Sequence, residues 1–63
     1  MHMAEYLCRY AGKRVEAQLK EGMLVEGHVE NRFGNCVLVV DKGIFYGAVV
    51  NWWDIKLITR VLS

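Results

Sequence analysis

The sequence predicts a mainly β fold: a short N-terminal helix leading into a five-stranded, strongly bent antiparallel barrel. Three observations carry this. Helical spacing is confined to the first residues and stops at Gly12, two-residue alternation begins at Arg14, and an uninterrupted apolar run fills Cys36 to Val40. The chain has 63 residues, which is one domain, with the helix over about 3–11 and the barrel over about 14–62.

In the first segment Leu7 has Met3 four residues before it and Tyr10 and Ala11 three and four after, one face of a helix. Gly12 then suits the left-handed residue that closes it. Met3 reads as an alternative start of the natural chain. From Arg14 onward Val15, Ala17 and Leu19 alternate with Arg14, Glu16, Gln18 and Lys20, as a strand with one wet face requires. Glu21-Gly22 supplies a turn. Met23, Val25, Gly27 and Val29 alternate with Leu24, Glu26, His28 and Glu30 in a second strand, where Gly27 is expected to mark a bulge or sharp bend. Residues 31–35 are turn-rich. The run 36–40 is a third strand covered on both faces, and Asp41-Lys42-Gly43 is a hairpin connection. Residues 44–50 then form a fourth strand, 51–54 a tight connection and 55–61 a fifth strand. Strands this short and evenly spaced suggest a small barrel, with the backbone of the last two strands left open to a neighbour.

A folded chain of this length buries only about 60% of the surface it exposes when unfolded, so it needs a supplement to its core. The two cysteines, Cys8 and Cys36, follow no basic and apolar leader, so they are expected to be reduced thiols in a cytoplasmic protein, each a small buried apolar residue. His2 and His28 form no zinc spacing with them, and no metal or cofactor is expected. Self-association remains. A hydrophobic content of 54% supports it, because some apolar surface must meet a partner. Asp41, Lys42 and Asp54 interrupt every candidate membrane span, and no membrane partner is expected. A net charge of +1 neither demands nor excludes nucleic acid. Cys36 has no neighbouring base, and no carboxylate pair, phosphate-cradling loop or nucleophile elbow is present, so no catalytic residue is assigned. His28 is read as a plain surface residue.

Gly12-Lys13-Arg14-Val15 and Leu19-Lys20-Glu21-Gly22, followed by Gly27, resemble the opening of the Sm and Sm-like proteins, which share an SH3-like barrel. The resemblance continues through Asn31-Arg32-Phe33-Gly34-Asn35-Cys36-Val37-Leu38, which has the spacing of the first Sm motif. The chain departs from the family in carrying Asn31 where aspartate is usual, in placing Gly27 closer to it, and in lacking the Arg-Gly pair of the second motif. Either Tyr46-Gly47 or the Asn51-Trp52-Trp53 loop stands at the place of that pair; the loop leaves a full-length last strand behind it.

The resemblance implies a non-catalytic protein whose fourth strand pairs with the fifth of the next copy, closing a ring of about five to seven subunits that binds single-stranded RNA at its central hole. Carried over by position, Phe33 would stack on a base and Asn35 would bond its edge; Arg32 is placed by its own loop position to reach a phosphate, with Asn31 beside them in the same loop. Asn51 and Trp52 would form a weaker second loop, and Trp53, Ile55, Leu57 and Val49 the subunit interface. The residues themselves leave Phe33 a second course, folded back over the barrel mouth. They also leave two other functions open: an oligomeric scaffold holding protein on its Trp52-Trp53 surface, and a monomeric SH3-like or Tudor-like adaptor.

Overall fold

A computed structural model describes residues 2–63. The chain forms helix α1 (Met3–Cys8), strands β1 (Arg14–Leu19), β2 (Leu24–Arg32), β3 (Asn35–Val40) and β4 (Val49–Asn51), a 3-10 turn (Trp52–Asp54) and strand β5 (Ile55–Val61). The strands make one antiparallel sheet in the order β4-β3-β2-β1-β5.

Alternation in the sequence becomes alternation in burial. Val15, Ala17 and Leu19 of β1 and Val25 and Val29 of β2 point inward, where they meet Leu7, Cys36, Leu38, Val40 and Ile55 in a single core. The apolar β3 is covered on both faces as expected: Val37 is buried although it lies outside the core cluster, between its cross-strand partners Glu30 and Asn51. Strand β5 breaks the two-residue rule. Its ladder with β1 shifts register between Glu16 and Ala17 and again between Gln18 and Leu19, so Ile55 and Ile58 both reach the core although they are three apart. Such shifts bend and twist a strand.

Several expectations need correction. The barrel is not closed: among the described residues β4 pairs only with β3 and β5 only with β1, leaving both as edges. The predicted fourth strand over 44–50 shrinks to Val49–Asn51. Gly43 and Gly47, both at positive φ, bracket a tight turn instead, with the Tyr46 amide donating to Gly43 O and the Gly47 amide to Val40 O. Helix α1 stops at Cys8 rather than Ala11, because the amides of Tyr10 and Ala11 bond three residues back, to Leu7 O and Cys8 O, in a tighter turn. Gly27 marks no bulge, since both ladders of β2 pass through it without a shift. An added Cβ there would instead collide with the Val39 carbonyl, so the glycine lets two backbones approach.

The thiols are also not free. Cys8 and Cys36 form a disulfide across a Cα separation of 5.5 Å, pinning α1 to β3. The expectation of reduced thiols in the cytoplasm is therefore overturned, because such bridges form and persist in an oxidising environment. A second tie runs from the Ile58 amide, which donates to the Tyr6 hydroxyl at 2.9 Å and joins the helix to β5. Among the described residues no helix is long and apolar enough to cross a membrane.

Candidate functional site

Strands β2 and β3 end in a two-residue hairpin. Arg32 and Asn35 are the last cross-strand pair, and Phe33 and Gly34 between them have φ values of 54° and 86°. Two consecutive positive φ angles make the turn whose twist matches its strands, normally built from asparagine and glycine. Phenylalanine is a poor choice on folding grounds: its Cβ clashes in the left-handed region, and its ring is wholly exposed. Asn31 holds the turn from below, its Oδ1 accepting from the Gly34 amide at 2.8 Å.

The fold thus gathers Asn31, Arg32, Phe33 and Asn35 at one tip, and Phe33 does not fold back over the core. Two of the four have local duties. Asn31 braces the hairpin, and the Arg32 Nε donates to Glu30 Oε1 at 2.9 Å, which draws the guanidinium along the strand and offsets part of its charge. The second loop lies near the hairpin end of β3, since Asn51 pairs with Val37. Trp52 packs against the core and makes edge contacts with His2 and Trp53, at centroid distances of 5.0 and 5.3 Å.

Among the expected interface residues, Val49 and Leu57 sit on the two edge strands and Trp53 between them, all substantially exposed. Ile55 is wholly buried, so its side chain belongs to the core and not to an interface. At the other end of β3 a groove of about 740 Å³ is lined by apolar side chains, Met23, Val40 and Phe45 among them, together with the charged Lys20, Glu21 and Asp54. Ile44 and Tyr46 stand exposed nearby.

One cluster was not foreseen. On the outer face of β2, His28 lies between two carboxylates, its Nδ1 2.7 Å from Asp41 Oδ1 and its Nε2 2.6 Å from Glu30 Oε2. Hydrogen bonds to Glu30 and then Asp41 raise the His28 pKa above its ordinary 6.5, while His28 and then Arg32 lower that of Glu30. The spacing of Glu26, His28, Glu30 and Arg32 at every second position was the available signal; the link to Asp41 needed the fold. Among the described residues no group of three or more His, Cys, Asp or Glu side chains is arranged to hold a metal ion.

Comparison of the chain with family models, curated proteins and solved structures finds no match to any of them.

Proposed function

We propose that this domain is a non-catalytic Sm-like binding module, in which β4 of one copy pairs with β5 of the next in a ring of about five to seven subunits and each Phe33 stacks on single-stranded RNA. The observation that carries this reading is Phe33: a wholly exposed aromatic ring, on a rigid two-residue turn, in a conformation that folding alone would give to asparagine. Two open sheet edges of opposite ends of the strand order support the assembly. Repetition around a ring would let modest contacts add through effective concentration.

A second reading keeps the assembly and replaces RNA with protein. The Cys8–Cys36 bridge favours it, as does the exposed apolar turn at Ile44, Phe45 and Tyr46.

The variant Phe33→Asn separates stability from binding. Asparagine tolerates the left-handed turn, so thermal or urea unfolding is expected to show the variant more stable than the parent by about 1 kcal/mol. Loss of one stacked base per subunit, worth about 1–3 kcal/mol, is expected to weaken binding to a short single-stranded RNA by tenfold or more. Equal RNA affinity in variant and parent contradicts the stacking role. If the parent itself shifts no RNA at low salt, the protein-binding reading replaces the first.

A further inference from the structure

The geometry around His28 sets its protonation state. A neutral imidazole has one N–H and one lone pair, so it can satisfy only one of two acceptors placed at opposite ends of the ring. Here both ring nitrogens face carboxylate oxygens within hydrogen-bond distance, Asp41 Oδ1 on one side and Glu30 Oε2 on the other. The arrangement fits the imidazolium alone; removing either proton turns a donor into a lone pair aimed at an anion.

The partners reach different parts of the fold. Glu30 lies further along β2 and holds Arg32 beside the Phe33 turn. Asp41 is the first residue after β3 and opens the 41–48 connection, which leads to the edge strand β4. The surroundings of His28 supply further charges. Arg14, its cross-strand partner on β1, stands 3.8 Å from Asp41 Oδ2. Glu16 on β1 faces Glu26 of β2 and is 3.8 Å from Arg60 of β5. Lys42 follows Asp41 in the connection. On the β3 side the cross-strand partner is Val39, which cannot titrate.

We propose that His28, Asp41 and Glu30 form a proton-operated clasp: one proton on His28 ties β2 to the start of the β3–β4 connection, and its loss releases that connection together with the edge strand it feeds. This inference does not rest on the RNA or ring reading. A raised histidine pKa makes the clasp's stabilisation complete below the ordinary value of 6.5 and lost as pH rises through the higher folded value. A lowered Glu30 pKa makes its share complete above the ordinary 4.5 and lost as pH falls through the lower folded value. The clasp is therefore strongest between those two limits, in mildly acidic solution.

Nitrogen chemical shifts of the His28 ring, followed by pH titration of the intact disulfide-bonded protein, are expected to show both nitrogens still protonated above the ordinary midpoint. Amide exchange of Asp41 and Gly47, whose N–H groups donate to Glu26 O and Val40 O, reports release of the connection. After correction for intrinsic exchange, protection of both amides is expected to fall about threefold or more between about pH 5.5 and about pH 8.5. The variants His28→Gln and Asp41→Asn should each abolish that difference. A neutral His28 ring at mildly acidic pH, or an equal pH difference in parent and variants, overturns the clasp; the parent's ring shifts decide the matter if a variant does not fold.

Discussion

Reducing the Cys8–Cys36 bridge is expected to lower the unfolding free energy by about 3.5 kcal/mol, on the chain-entropy account for a loop spanning 28 positions. A chain of this size has only about 3–9 kcal/mol of net stability. The loss therefore falls on a large share of the total. It corresponds to a drop of about 14–28 °C in the unfolding midpoint for so small a domain. The mechanism lies in α1. Six residues cannot hold a helix in water on their own, and this one is kept in place by burial of Leu7, by the bond from the Ile58 amide to the Tyr6 hydroxyl, and by the bridge to β3. When α1 leaves, it uncovers the core formed by β1, β2 and β3. Melting curves by circular dichroism, with and without a phosphine reductant, measure the effect, and a Cys8→Ser, Cys36→Ser double variant should reproduce the reduced curve. An unchanged melt after complete reduction, verified by thiol labelling, would falsify the structural role given to the bridge.

The second large effect is expected at Gly27. Its φ is not in the left-handed region, so Gly27→Ala brings no backbone strain, and reduced freedom of the unfolded chain would by itself stabilise the protein by about 0.4–1 kcal/mol. The steric term opposes this and is larger. An alanine Cβ would overlap the Val39 carbonyl oxygen and lie 3.1 Å from Leu38 Cδ1. The obstacle is main chain, which no rotamer change can move aside, so β2 and β3 must separate at Val39 and Val40. A net destabilisation of about 2 kcal/mol is expected, within the usual cost of overpacking a core. Urea unfolding measures it, and amide exchange should show the Val39 and Val40 region opening first. A variant more stable than its parent would show that the close approach of β2 and β3 is not a constraint on the fold.

How much of this was legible beforehand depended on where each residue's partners lie. Strands β1 and β2 could be read because burial on one face writes itself into every second residue, and Val15, Ala17, Leu19, Val25 and Val29 are the inward set. Strand β3 could be read because an all-apolar run must be covered twice. The fourth strand is shorter than its sequence suggests for a physical reason: Ile44, Phe45 and Tyr46 have strong β propensity, but Gly43 and Gly47 at positive φ impose a turn, and propensity yields to the backbone hydrogen bonds that close it. Strand β5 hid its inward residues because two register shifts replaced the period of two. The disulfide could not be foreseen from cysteines 28 positions apart, since only the docking of α1 on β3 brings them together.

The site divides in the same manner. The Asn31, Arg32, Phe33 and Asn35 group is local and was visible as a turn. Its internal commitments were not: the brace from Asn31 to Gly34 depends on the turn type, and the tether from Arg32 to Glu30 on the strand pairing. In sequence His28 looks like a plain surface residue because its neighbour Asp41 comes from beyond the next strand. Ile55 falls among the expected interface residues because the resemblance puts the fifth strand at the subunit contact, and the sequence does not show which of that strand's side chains turn inward.

Strands β4 and β5 are the two ends of the sheet, and in the proposed assembly each is completed by the other strand of a neighbouring copy. Native mass spectrometry of the oxidised protein, supported by light scattering at micromolar concentration, measures it directly. Pairing between copies predicts a closed assembly of about five to seven times the 7.3 kDa chain mass. A single species of 7.3 kDa at every concentration would contradict the account.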